Sequence, residues 1–375
     1  MYIDTPNNRA LELLKEAQIS IAGYQRSKEL GKLKEAKSNL EMALEKDRRY
    51  LRARFWMGLV NDLLGETDEA VRELTEVKDA VSGIEPIAVN KRRATKRARE
   101  IQLFLSMVQY NLGVAYYHKY SRDKVDTAIQ TFADVIEQTA NNELRLRAKA
   151  WLAKAYAVRM IPKPDSEDFD EVTRFYASER PKENAGKYFE LSRKVSDAVI
   201  ADVENRSELG EAADDIKGVA YDARAVALMF YTDFYEEDRI SNLEKALKSL
   251  DTANEYRRRD WAIYSNFGSI HMRLGHWRQV EAQKGTGPKV DKVRQQSQAN
   301  FEKALEFLKE VVTSLRPGYG FALYEIGRTY RLMGDFVQAL KYFDLALEVK
   351  KNRDVSDSRI KFEKKRAKRS LTSFP

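Results

Sequence analysis

The stretch from Gly320 to Lys350 reads GFALYEIGRTYRLMGDFVQALKYFDLALEVK, and its small and aromatic residues stand at offsets that few folds satisfy. Gly327 is followed by Tyr330, Gly334, Ala339, Phe343 and Ala346. This spacing predicts two amphipathic helices joined by a tight turn. Gly327, Ala339 and Ala346 let the helices approach closely, Tyr330 and Phe343 fill the space beside them, and Gly334 supplies a turn residue without a Cβ clash.

The same ruler fits elsewhere. From Ala36 to the next small packing residue, Gly58, is 22 residues; from Ala246 to Gly268 is again 22, and from Ala304 to Gly327 is 23. A recurring interval between helices of different pairs is the mark of a repeat array. Seven pairs can be read on this basis. The first covers 5–48, with Thr5 or Asn7 as cap and Gly31 at the turn, and the second holds Gly58, Gly65, Ala70, Leu74 and Val77. In the third a long helix starts near Val89, passes Gly113 and Tyr116, and returns through Ala128, Phe132 and Val135, three residues late. The fourth has Leu152, Ala153 and Tyr156 as its preferred packing trio, with a three-residue shift left open, and resumes at Ala185 after an interruption rich in proline and acids. The fifth spans GEAADDIKGVAY through LDTANEY; the sixth, from Trp261, is cut after Gly275 and resumes at FEKALEFL. The seventh is the stretch from Gly320, and a last helix from about Ser356 to Arg369 would cover the exposed end, as terminal units must.

Composition agrees with such an array. The chain has 375 residues, of which 33% are charged, with only 8 prolines and 17 glycines. That is more polar than the roughly 25% charged of ordinary domains, as expected where much surface falls to each residue. No apolar run approaches the ~18 residues of a membrane span, and MYIDTPNNRA lacks a basic-then-apolar leader, so a soluble, cytoplasmic protein is expected. The absence of cysteine removes disulfides and thiolate chemistry. The net charge of +8 is concentrated: Lys91–Arg99 carries +6 and Arg359–Arg369 another +6, leaving the remaining residues slightly acidic.

The quoted residues resemble tetratricopeptide repeats, most specifically at 320–350 and 51–77, well at 241–275, partly at 108–135 and 299–315, and weakly at 5–48 and 143–235. The resemblance implies an all-α, right-handed superhelical solenoid of about seven helix pairs over residues 1–355, with insertions at about 159–182 and 276–299 and a basic capping helix or tail at 356–375. It also implies a concave groove lined by each pair's first helix and used for peptides or partner proteins. In this sequence that groove would carry Phe55, Leu59, Asp62, Tyr110, Tyr117, Arg147, Lys154, Ser265, Arg273, Tyr324, Arg328 and Arg331. Chaperone-binding members grip a terminal carboxylate with lysine and asparagine, where this chain has Phe55 and Leu59; that mode is disfavoured.

Two functions remain in view. A non-enzymatic scaffold or adaptor would bind a partner protein or peptide in the groove, with Tyr110, Tyr117, Phe321 and Tyr324 as candidate anchors. A less favoured variant senses a small peptide and changes superhelical pitch. The alternative is an RNA or single-stranded nucleic-acid binder. Arg92, Lys96 and Arg99 share a helix face, Arg93 and Arg97 lie beside it, and Tyr110, Tyr116 and Tyr117 follow as possible stacking rings. The bland reading of the same residues is a solvated face followed by core tyrosines; the basic tail KKRAKR resembles a nuclear signal or a solubilising end.

Catalysis and cofactors are not expected. His118, His271 and His276 have no metal-ligand spacing; His271 fits a packing position, and His276 falls in a turn after Gly275. KGTGPK at 284–289 lacks the ending and preceding strand of a phosphate loop and reads as a link. Acid pairs such as Asp168 with Asp170 and Glu236 with Glu237 lie in turns, and no nucleophile stands beside a base.

Overall fold

The computed structural model describes residues 6–84, 91–119, 122–160, 179–349, 355 and 357–372, and among them the regular elements are helices. They follow in pairs: α1 (Asn8–Ser27) and α2 (Leu30–Lys46), α3 (Leu51–Leu63) and α4 (Thr67–Ser82), α5 (Lys91–His118) and α6 (Arg122–Gln138), and α7 (Asn142–Arg159) and α8 (Glu179–Glu204). Next come α9 (Glu211–Phe234) and α10 (Arg239–Tyr256), α11 (Trp261–Ala282) and α12 (Pro288–Glu310), α13 (Gly320–Met333) and α14 (Phe336–Glu348), and finally α15 (Asp357–Thr372). The chain divides into two compact units, one of Met1–Lys119 with Asp123–Lys149 and the other of Tyr120–Arg122 with Ala150–Pro375.

The small residues mark the points where helices cross. A Cβ on Gly58 would lie 2.7 Å from Leu74, on Gly113 2.8 Å from Phe132, on Gly268 2.4 Å from Leu308, and on Gly327 2.7 Å from Phe343. Such approaches leave no room for a methyl group, so glycine sets the spacing of each pair. At Ala153 the Ser192 hydroxyl of α8 donates to the backbone carbonyl at 2.8 Å, which places the fourth crossing in the trio the spacing preferred. Gly334, at φ +86°, ends α13 in the left-handed conformation, and Asp335 then caps α14 by accepting from Gln338 N at 3.0 Å. Asn7 caps α1 through Arg9 N, while Thr5 lies outside the described residues.

The longer interval before Gly327 has a local cause. Val311–Leu315 forms a π turn at the end of α12, closed by Arg316 N donating to Val311 O at 2.7 Å. A π turn absorbs one extra residue without changing the helices on either side.

The expected insertion at 276–299 is mostly helical. Residues 276–282 lengthen α11, 288–299 lengthen α12, and the connection narrows to 283–287, where Gly287 has φ +98° and Pro288 opens the next helix. Gly275 is therefore a packing residue, with Phe301 of α12 2.7 Å from where its Cβ would be, and His276 lies within a helix rather than in a turn. Of the other insertion, residues 161–178 lie outside the described residues. The last helix, α15, packs along α14 as α3 packs on α2, α5 on α4, α9 on α8, α11 on α10 and α13 on α12.

Candidate functional site

In the first unit, most residues that the repeat spacing assigns to the groove are engaged in packing. Phe55 is buried against Phe104 of α5, edge to face at 5.4 Å, and Leu59 packs half-buried on the same cluster. Tyr117 is buried with its ring against His118 at 5.5 Å, and Tyr110 is tilted against Phe132 at 6.3 Å. Asp62 faces His118, whose Nδ1 lies 2.9 and 3.0 Å from the two carboxylate oxygens. Arg147 turns back along α7 to Glu143 at 2.8 Å.

The basic stripe is partly placed. Lys96 and Arg99 are exposed and Arg97 is half-buried, while the side chains of Arg92 and Arg93 lie outside the described residues. Tyr116 is half-buried beneath the Lys124 ammonium, 5.5 Å from its ring centre. One feature escaped the sequence reading: Leu103 and Met107 are each 38% exposed. At 100° per residue they share a face of α5 with Lys96, Arg99 and Tyr110, about a third of a turn from the Gly113 edge that packs on α6. An apolar i, i+4 pair looks like core in sequence, and only the missing neighbour reveals it as surface.

In the second unit the first helices are stitched together by charge. Lys154 of α7 lies 2.5 Å from Asp222 of α9, and Asn266 of α11 donates to the other oxygen of Asp222 at 2.7 Å. Arg273 of α11 forks onto both oxygens of Asp233 at 3.0 and 2.9 Å, with its ring-facing side 5.5 Å from Phe230 and Glu325 of α13 3.8 Å away. Arg328 takes Glu325 at 2.7 Å; Arg331 lies 2.7 Å from Glu363 of α15, which also meets Arg366 at 3.4 Å. Arg359 donates to the Tyr324 hydroxyl at 3.0 Å. Lys154, Ser265, Arg273 and Tyr324, all assigned to the groove by the family resemblance, are thus buried, and Arg328 and Arg331 stay partly open.

The electrostatics follow from this arrangement. Desolvation pushes the Glu363 carboxyl up, and the Asp233 carboxyl too although 38% of its side chain stays exposed, but the surrounding guanidinium groups, Arg273 first for Asp233 and Arg331 first for Glu363, hold both below the usual carboxylate range. Burial raises the Tyr324 phenol. The His276 imidazole is lowered to about 4, first by burial and then by Arg328, Arg331 and Arg366. His271 is lowered by burial; it lies 3.0 Å from Asn300 and stacks parallel to Phe307, a packing role as its spacing implied.

Among the described residues, no group of three His, Asp or Glu side chains is placed to hold a metal ion, and no helix is long and apolar enough to cross a membrane.

Paired helices that cross at glycine, with ion pairs linking the first helices of the second unit, define a helical repeat protein. Residues 294–352 match the tetratricopeptide repeat family. No curated protein matches it. Similar solved structures include a tetratricopeptide repeat protein from Parabacteroides merdae ATCC 43184, 12% identical, covering 96% of this chain and 100% of that one with a TM-score of 0.44. The P58(IPK) TPR domain is 14% identical over 97% of this chain and 98% of its own, with a TM-score of 0.30. An IFIT1 monomeric mutant solved with Gppp-AAAA is 15% identical over 80% and 69%, with a TM-score of 0.38.

Proposed function

We propose that the protein is a non-enzymatic scaffold that binds a segment of a partner protein on the faces presented by its first helices. The observation that carries this reading is the α5 stripe. Leu103 and Met107 form an exposed apolar pair flanked by Lys96 and Arg99 on one side and Tyr110 on the other. An apolar centre with a polar rim is how protein-docking surfaces are composed, and large apolar side chains left in water at adjacent turns are stabilised by a partner. The first-helix faces of the second unit are stitched internally by buried ion pairs, which suits a rigid platform better than a mobile active site.

The nucleic-acid alternative draws on Lys96 and Arg99, which are exposed. It is weaker because Tyr117 is buried and Tyr116 is engaged by Lys124, so the rings offered for base stacking are largely spent on packing.

The test is affinity capture with wild type and the Leu103→Glu/Met107→Glu variant, after helicity by circular dichroism is matched. Loss of the captured protein from the variant supports the reading; full retention rejects it. Capture of RNA that is lost with Lys96→Glu/Arg99→Glu and persists with the apolar variant favours the alternative.

A further inference from the structure

At one end of the charged face of the second unit, three guanidinium groups lie close enough to a single histidine to act on its ring. Arg328 and Arg331 come from α13 and Arg366 from α15; after burial, all three lower the His276 ring of α11, and Asp233 of α9 acts against them. The carboxylates among them are unevenly divided. Glu325 answers Arg328 at 2.7 Å, whereas Glu363 serves both Arg331, at 2.7 Å, and Arg366, at 3.4 Å. Arg331 is itself pushed below its ordinary value by burial and by Arg366 and Arg328, against the pull of Glu363. Arg328 is raised well above its ordinary value despite its burial, by Glu325 first, so the shortage of carboxylate lies at Arg331 and Arg366, which share Glu363.

Hydrogen bonding tells the same story. His276 Nδ1, Arg328 Nε and Arg331 Nε are buried and lack an aligned hydrogen-bond partner, despite the short separation of Arg331 from Glu363. Buried polar atoms without an aligned partner are costly until a ligand or solvent completes them. The cluster is reachable from solvent: the side chains of Arg328, Arg331 and Arg366 are 19%, 13% and 45% exposed.

We propose that Arg328, Arg331 and Arg366, gathered round His276, form a carboxylate-binding subsite that the C-terminal helix completes. The carboxylate comes from an acidic side chain of a bound partner segment or from a free dicarboxylate; the first source rests on the scaffold reading above, and the second does not. Planar guanidinium groups match a carboxylate in paired hydrogen bonds. A nucleic-acid backbone fits worse. Glu363 and Asp233 are interleaved with the arginines, and Asp233 is 38% exposed, so a continuous run of phosphates would meet like charge at the same face.

The chain holds only three histidines, and His276 is the one at the subsite, so its ring is a built-in reporter, with His118 and His271 as internal controls. In the full-length protein the ring signals are followed by NMR at constant ionic strength. The added probes are glutarate, the peptide Ac-Ala-Leu-Glu-Ala-Leu-NH2, chloride or oligoadenylate. The proposal predicts a saturable shift of the His276 signal with glutarate or the peptide. It also predicts that His276 titrates about one unit higher, a tenfold change in proton affinity, because the bound anion offsets the arginines. Arg366→Gln, matched to wild type in helicity by circular dichroism, removes the response, and Lys96→Gln retains it.

A larger response to the peptide identifies a partner segment as the source, and a larger response to glutarate identifies the free anion. An equal response to chloride means an adventitious ion only and overturns the proposal. So does a stronger response to oligoadenylate, no response to either carboxylate, or a response that survives Arg366→Gln. If His276 stays silent while capture by the α5 stripe persists, the subsite fails and the scaffold reading stands.

Discussion

The Lys154 ammonium and the Asp222 carboxylate lie 2.5 Å apart with 2% and 0% of their side chains exposed, so a full ion pair is enclosed between α7 and α9. Trp151 borders the same ammonium at 4.9 Å, and Asn266 takes the second oxygen of Asp222. Enclosed pairs contribute little net stability relative to apolar residues of the same shape, yet removing one partner strands the other charge.

Asp222→Ala is therefore expected to destabilise the protein by about 3–5 kcal/mol. Lys154→Met together with Asp222→Leu should recover most of that loss. Urea unfolding of the three proteins checks both statements, and a double variant no better than the single one would show that the pair is stabilising in its own right.

The glycines divide into two kinds. Gly327→Ala places a methyl group 2.7 Å from Phe343 and should cost about 1–3 kcal/mol through overpacking. Gly31, within α2, has nothing within 4 Å of its Cβ position, so Gly31→Ala should stabilise by about 0.4–1 kcal/mol by restricting the unfolded chain. Denaturation midpoints moving in opposite directions are the expected result.

These two classes also show what the sequence discloses. Pair crossings repeat at Gly58, Gly268 and Gly327, and a repeated steric requirement leaves a repeated residue, so the helix pairs and the C-terminal cap are legible from spacing. Partners across helices are not. Lys154 and Asp222, or Asp233 and Arg273, stand far apart in the chain, and their meeting depends on how neighbouring first helices rotate against each other. Residues of the expected groove are covered by such partners, Phe55 by Phe104 of α5 and Tyr324 by Arg359 of α15. The extension of α11 past Gly275 was hidden because a glycine that admits Phe301 looks the same in sequence as one that permits a turn.

His276 should make stability pH-dependent. Its folded value of about 4 lies below the ordinary 6.5, so the unfolded chain binds the extra proton between these values. Its contribution is present above pH 6.5 and is lost as pH falls toward 4, by at most about 3 kcal/mol. Carboxylates titrate in the same range, so the quantity to measure is the difference in unfolding free energy between wild type and His276→Gln. That difference should shift in favour of the variant as pH falls from 6.5 to 4, and a constant difference would contradict the assignment.

The central claim is that the exposed face of α5 receives a partner protein. The most direct measurement places the photo-cross-linker p-benzoylphenylalanine at Met107, and as a control at Val337, 65% exposed on α14, in the full-length protein inside its native cells. After illumination and digestion, mass spectrometry should find a defined peptide of another protein joined to position 107 and absent from position 337. Equal products at both positions, or nucleotide adducts alone at position 107, would contradict the account.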